Sequence, residues 1–194
     1  MRYLLLLMLL AGVSAAEKVD RTGPYLSLGG GYAMFYDDGR LADVAVDPSY
    51  NINLIGGAYI NKYFSVELSM DYYDTFTNSV NDNTSTIYII DATAKAHYSF
   101  WRERIDIYGA FGAGGVFWRE YKDNLSQSDN SGVTRGDVGI GLRVMEDLTI
   151  NLGYRRYFFT LEHDTGNRDD LNNIIYDTYN MQIGSVYTNI EVQF

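Results

Sequence analysis

The chain has 194 residues, a formal net charge of −10, 18 tyrosines, 19 glycines, 2 prolines and no cysteine. The length suits one domain, and without cysteine that domain must be stabilised by packing and hydrogen bonds rather than by disulfides. Nucleic acid attracts basic surfaces, so the acidic charge excludes it as a partner.

The first 16 residues have the pattern of a secretory signal peptide. Arg2 supplies one early positive charge, an apolar run begins at Leu4, and the small residues "SAA" end the segment. The run is too short to cross a bilayer as a helix, and residues 17–194 contain no apolar stretch of about 18 residues. We therefore expect cleavage before Glu17 and a single mature domain over residues 17–194.

Strict alternation of apolar and polar residues predicts strands in the first half of the mature chain. The stretch "FSVELSMDY" is the clearest, because every second residue from Phe64 to Tyr72 is apolar and those between are Ser, Glu or Asp. Three more stretches have apolar faces formed by Leu26, Leu28, Tyr32, Met34 and Tyr36, by Ile52, Leu54, Ala58 and Ile60, and by Tyr88, Ile90, Ala92, Ala94, Ala96 and Tyr98.

The second half continues the pattern. The stretch "IDIYGAFGAGGVFW" predicts a strand but is too rich in glycine for its faces to be assigned. The last three strands have apolar faces formed by Val138, Ile140, Leu142 and Val144, by Leu148, Ile150, Leu152 and Tyr154, and by Val186, Thr188, Ile190, Val192 and Phe194. The total of about eight strands is the number found in the smallest closed membrane barrels.

The connections between these strands alternate in length. The segments "NKY", "SFWRER" and "MED" are short, whereas those near 37–49, 74–85, 120–132 and 159–177 are long and polar. Short turns on one rim and long loops on the other are typical of an outer-membrane barrel. The predicted fold is therefore all-β, a closed antiparallel eight-stranded transmembrane β-barrel.

The direction of the polar faces distinguishes this barrel from a soluble one, in which apolar residues line the interior. Aromatic residues near the ends of the apolar faces are expected to lie at the two membrane interfaces. They are Tyr36, Tyr50, Phe64, Tyr72, Tyr98 and Tyr154. The polar faces should then line the lumen, with charges at Glu67, Asp71, Asp91, Lys95, Arg135, Asp137, Arg143, Arg155 and Glu191. We expect these charges to pair in a structural network, and the alternative is a gated ion path.

The order of several segments resembles the small OmpA-type outer-membrane β-barrel family over nearly the whole mature chain. These segments are "YLSLGGGY", "FSVELSMDYY", "GAFGAGGVF", "NLGYRRYF" and the terminal Phe194. The resemblance implies eight strands and recognition of a terminal aromatic signal, here Phe194 with Val192 and Ile190, by the barrel-assembly machinery. It also implies periplasmic chaperones, outer-membrane lipid and lipopolysaccharide as partners. The peptidoglycan-binding domain of full-length OmpA proteins is not expected, because the sequence ends with the barrel.

Catalytic, cofactor-binding and metal-ligating sets are not predicted. The motif "HYS" at 97–99 resembles the His-x-Ser element of outer-membrane lipid A deacylases, but the strand direction places His97 near the periplasmic rim. His163 belongs to an acidic loop, for which solvation is a simpler explanation than metal binding. We therefore expect no enzyme, but a barrel that stabilises the envelope and binds host surfaces or other extracellular ligands through its long loops. The alternatives are a narrow small-solute channel and, less favoured, a lipid-modifying enzyme.

Overall fold

A computed structural model describes residues 21–37, 47–77, 84–122, 125–168 and 174–194. The expected signal peptide, residues 1–16, lies outside these ranges. Within them, no helix is long and apolar enough to cross a membrane. The strands are β1 (Gly23–Asp37), β2 (Ser49–Asn61), β3 (Phe64–Thr77), β4 (Thr84–Phe100), β5 (Ile105–Lys122), β6 (Leu125–Arg143), β7 (Leu148–Arg168) and β8 (Ile174–Gln193).

The eight strands form a closed barrel, which confirms the predicted fold. Each strand pairs antiparallel with the next, and β8 pairs with β1, so the sheet has no unpaired edge. Paired residues, followed once around the barrel from Pro24, return to β1 at Met34, ten residues further along. A stagger of this kind tilts the strands against the barrel axis, by about 40° for a barrel of eight strands.

The outer wall is apolar, and polar side chains that alternate with it point into the interior. Leu28, Leu68 and Ile190 are among the large apolar residues exposed on the outside, whereas Ser69, Asp71 and Asn189 between them are buried. The predicted facing is confirmed for every strand to which faces were assigned. In β5, which glycine left ambiguous, Asp106, Tyr108 and Val116 point inward, whereas Ile107, Phe111 and Phe117 are exposed.

The two rims differ as expected, but two of the four predicted long loops are largely strand. Short turns follow β2, β4 and β6. On the other rim, β5 and β6 stay paired up to Lys122 and Leu125, although residues 120–132 were expected to be loop. Likewise β7 and β8 stay paired up to Arg168 and Ile174, within the predicted loop 159–177. Serine, threonine and asparagine on both faces conceal the alternation but do not prevent the backbone from pairing.

The β5–β6 and β7–β8 hairpins separate above the barrel wall. Pairing between β6 and β7 begins at Val133 and Phe159 and continues toward the short turns. Beyond that pair, each hairpin continues as a ribbon of two strands.

Candidate functional site

The barrel interior contains all nine charges predicted to line it. Each is at most 5% exposed, except Lys95, which is 6% exposed. They come from β3, β4, β6, β7 and β8, because alternate residues of a strand point to the same side of the sheet. Burial of so many ionised groups is stable only when each is paired or hydrogen-bonded.

Arg155 connects two carboxylates near the middle of the barrel. Its Nη1 lies 2.7 and 2.8 Å from the two oxygens of Asp71, and its Nε lies 3.1 Å from Oδ2 of Asp137. The Tyr157 hydroxyl donates to Asp71 at 2.8 Å and the Tyr187 hydroxyl donates to Asp137 at 2.7 Å. Arg155 itself is fully buried, and these contacts replace the hydration of its Nη1 and Nε, while its Nη2 has no partner among the described residues.

Arg135 extends the network toward β4. Its Nη1 donates to Asp91 at 3.0 Å and to Ser69 at 2.8 Å, and its Nη2 donates to Asp137 at 2.6 Å. Asp137 therefore bridges the two arginines, Arg135 and Arg155. The Tyr157 hydroxyl also reaches Asp91, at 2.8 Å, so one tyrosine links the carboxylates that the two arginines bind.

Lys95 and Glu67 form a third pair, with Nζ and Oε1 2.9 Å apart. The Tyr25 hydroxyl donates to the same oxygen at 2.7 Å, and Arg135 lies 3.7 Å from the other. Glu191 is held differently, because it accepts from Asn151 at 3.1 Å and from the Tyr59 hydroxyl. Glu191 therefore joins the interior through neutral donors instead of through an ion pair within the described residues.

Arg143 differs from what the sequence predicts. It is buried near the short turns, but within the described residues it makes no ion pair, and its Nη1 has no hydrogen-bond partner. The nearby ion pair is instead between Arg21 and Asp106, and Ser99 also donates to Asp106 at 2.6 Å. The expectation missed this pair because Arg21 precedes the first strand and Asp106 lies in the strand whose faces were not assigned.

An apolar cluster fills the half of the interior that lies toward the long connections. We call it the apolar plug; it consists of the buried residues Ala33, Tyr73, Phe76, Ile87, Ile89, Val116, Val133, Tyr157, Phe159, Met181 and Ile183. Only polar faces were expected to line the lumen, so this cluster was not predicted from the sequence. The signal was the loss of alternation in "IYII" at 87–90, where inward Ile87 and Ile89 lie between outward Tyr88 and Ile90.

Between the plug and the short turns the interior is also nearly full. A cavity of only about 10 Å³ lies among the charged residues, next to Glu67, Lys95, Arg135 and Arg155. That is barely the space of one water molecule. At this level the described interior therefore offers little room for water.

The interior offers little catalytic geometry. His97 shares a 2.7 Å hydrogen bond with Ser65, not with Ser99 of the "HYS" motif. Within the described residues His97 has no carboxylate hydrogen-bonded to its ring, as a nucleophile–base–acid set would require. The described residues also contain no cluster of three or more His, Asp or Glu arranged to hold a metal. The His163 side chain lies outside the described part.

The predicted assembly signal lies at the end of β8, the strand that pairs with β1 and closes the barrel. Ile190 and Phe194 are exposed, and Phe194 is 75% exposed. Val192 pairs with Leu26 of β1, and the backbone N–H of Phe194 donates to Pro24 at 3.0 Å. The last residue thus adds one hydrogen bond to closure, while its ring is accessible.

The chain matches known proteins by family and by fold. The family described as "Outer membrane protein beta-barrel domain" matches residues 3–188. The solved structure of Neisserial surface protein A has a TM-score of 0.68 at 13% identity, covering 89% of this chain and 97% of that one. The attachment invasion locus protein of Yersinia pestis has a TM-score of 0.50 at 16% identity, covering 87% and 99%. OprG of Pseudomonas aeruginosa has a TM-score of 0.52 at 11% identity, covering 92% and 100%. No curated protein sequence matches the chain significantly.

Proposed function

Because this chain belongs to the outer membrane protein β-barrel family, we propose that it is a sealed barrel that stabilises the envelope and presents its long hairpins for surface interactions. The observation that carries the proposal is the filled interior. The apolar plug occupies one half, and the ion pairs of Arg135, Arg155 and Lys95 occupy the middle. A barrel filled in this way supplies stability rather than passage.

The narrow channel is disfavoured by the same contacts. A permeant ion would have to displace Arg155 from Asp71 and Asp137 and then pass the apolar plug, whose side chains do not replace its hydration. Enzymatic activity is likewise not proposed, because His97 and Ser65 lie beside no cavity of substrate size in the described interior.

The surface role is assigned to the β5–β6 and β7–β8 hairpins. Both continue past the level at which β6 and β7 cease to pair, so they project from the barrel as two separate ribbons. The name of the Yersinia pestis protein refers to attachment, which makes cell attachment the first interaction to test. The likeness to that protein otherwise concerns the fold.

Planar-bilayer recording tests the sealed interior. The purified barrel should give no steady conductance above the bare membrane, and ion steps of porin size would overturn the proposal. Attachment of cells that express the barrel tests the role of the ribbons. Removing the paired residues at the tip of the β5–β6 hairpin should reduce attachment without lowering the amount of barrel in the membrane. Attachment that survives shortening of each ribbon in turn would exclude them as the binding surface.

Export through a cleaved signal peptide is part of the same proposal. Amino-terminal sequencing of the membrane form should begin at Glu17. A start at Met1 would contradict it.

A further inference from the structure

Arg156 lies on the outer wall of the barrel below the two ribbons, whereas Arg119 lies higher, on the outer face of the β5–β6 ribbon. Residues of β7 alternate, so Arg155 is fully buried within the lumen while Arg156 faces outward and is half-buried. Between the short turns and the level of Arg156, the outer faces of the described strands carry no charged side chain. A charge on a lipid-facing wall is unfavourable at the bilayer midplane and becomes tolerable near an interface.

The position of Arg156 matches the interface on the side of the long connections. Arg156 follows Leu148, the first residue of β7, by eight positions. On a strand tilted by about 40°, eight residues rise about 20 Å, and the apolar band of such barrels is about 25 Å tall. The guanidinium therefore lies where the outer leaflet changes from acyl chain to headgroup.

Within the described residues, neighbouring side chains hold Arg156 against the wall without accepting hydrogen bonds from its guanidinium. Its guanidinium carbon lies 5.3 Å from the ring centre of Tyr36 and 5.6 Å from that of Phe158. Gln182 pairs with both of these residues across the sheet. Nε of Arg156 and Oε1 of Gln182 are both buried without a hydrogen-bond partner. Aromatic rings on both sides orient the guanidinium but satisfy none of its N–H groups.

A groove of about 500 Å³ begins beside this arginine, toward the long connections. Phe158 and Gln182 belong to its lining, together with Gly132, Thr134 and Thr160. An added Cβ on Gly132 would meet nothing within 4 Å, so the groove has free space at Gly132. An apolar floor with a rim of hydroxyl and amide groups suits a sugar ring rather than an ion.

We propose that Arg156 and the adjoining groove bind the headgroup of a phosphorylated glycolipid of the outer leaflet. Arg156 and its free N–H groups take the phosphate, because a guanidinium binds phosphate oxygens in pairs. The groove beside Phe158 and Gln182 takes the attached sugar. This inference rests on the proposed placement of the barrel in the outer membrane.

Native mass spectrometry of the refolded barrel in detergent, titrated with diphosphoryl lipid A, tests the phosphate contact. Arg156→Gln should weaken binding about tenfold, since one charge-assisted contact is lost, and Arg156→Lys should weaken it less. Arg119→Gln is the control for net charge, because Arg119 is an arginine on the outer face that is exposed rather than half-buried, with only a 3.4 Å contact to the Tyr121 hydroxyl. Equal weakening by both glutamine variants would mean that only net charge is sensed, and would overturn the site.

The unmutated barrel gives an independent test that does not depend on how the variants fold. Dephosphorylated lipid A should bind about as weakly as diphosphoryl lipid A binds the Arg156→Gln variant. Equal binding of the two lipids would exclude the phosphate contact. Displacement of the lipid by a large excess of inorganic phosphate alone would show that the site is for free anions, and would also overturn the proposal.

Filling the groove tests the sugar contact. Gly132→Leu should weaken lipid A binding, whereas Gly56→Leu on the outer face of β2, where an added Cβ also meets nothing within 4 Å, should not. Binding unchanged by Gly132→Leu would remove the groove from the proposal. Conductance and cell attachment do not involve Arg156, so failure here is distinguishable from failure of the proposed function.

Discussion

Replacing Arg155 by methionine should be among the most destabilising single changes in this barrel. The change removes three charge-assisted hydrogen bonds, two to Asp71 and one to Asp137. Breaking a buried pair by removing one partner costs about 3–5 kcal/mol. We expect the lower end, about 3 kcal/mol, because Asp71 keeps the Tyr157 hydroxyl and Asp137 keeps Arg135.

Arg143→Met is the matched control. Arg143 is a buried interior arginine on the neighbouring strand, but it makes no ion pair within the described residues. Its removal leaves no carboxylate without its ion-pair partner, so the free energy of unfolding should fall by about 1 kcal/mol or less. The two arginines are 0% and 4% exposed, so the difference between the variants measures pairing more than burial.

Reversible urea unfolding in lipid vesicles, followed by the fluorescence of Trp101 and Trp118, measures both free energies of unfolding. A double-mutant cycle of Arg155→Gln with Asp71→Asn should give a coupling of about 2 kcal/mol. If Arg155→Met costs no more than Arg143→Met, the network does not stabilise the barrel. The sealed-interior argument would then lose its energetic basis.

Three other perturbations test the outer wall, the apolar plug and the carboxyl terminus. Leu68→Arg should cost about 2–4 kcal/mol in vesicles because Leu68 faces lipid near the middle of β3, whereas Leu68→Met should cost little; equal stability would mean that this face is not in lipid. Ile89→Ala should cost about 2–5 kcal/mol in the same assay, since Ile89 is fully buried in the plug, and a negligible cost would mean that water already enters there. Deletion of Phe194 should reduce outer-membrane levels in cells far more than refolding into micelles, because only one backbone hydrogen bond to Pro24 is lost; unchanged levels would remove the recognition role.

The sequence predicts the outer wall of this barrel better than its interior. Lipid requires apolar residues at alternate positions along a strand, so the facing of β3 or β7 follows directly from the order of residue types. The interior imposes no such single requirement. Lys95 and Tyr25 are polar and both contact Glu67, whereas Ile87 and Ile89 are apolar and belong to the plug in the same lumen. Both solutions fill space, and alternation alone does not distinguish them.

The sequence also does not predict which charged residues pair with one another inside the barrel. Arg155 and Asp71 are 84 positions apart and lie on strands β7 and β3, which do not pair. Their contact depends on the stagger of all the strands between them, and no local pattern records that stagger. The tyrosines show the same effect. Tyr157 and Tyr187 are indistinguishable by type from the tyrosines of the outer wall, yet they donate to buried carboxylates.

The early separation of the two long hairpins makes part of the chain independent of the rest. Above Val133 and Phe159 no backbone pairs join the two described ribbons, although the Ser131 and Thr160 hydroxyls meet at 3.3 Å just beyond this level. The length of each ribbon beyond that contact can therefore change without altering how the barrel closes. A two-stranded ribbon is also only marginally stable by itself, so substitutions in it should change the free energy of unfolding of the barrel little. The molecule thus divides into a closed anchor and two exchangeable arms, and we expect sequence differences among relatives to concentrate in residues 119–132 and 160–180 rather than in the wall below them.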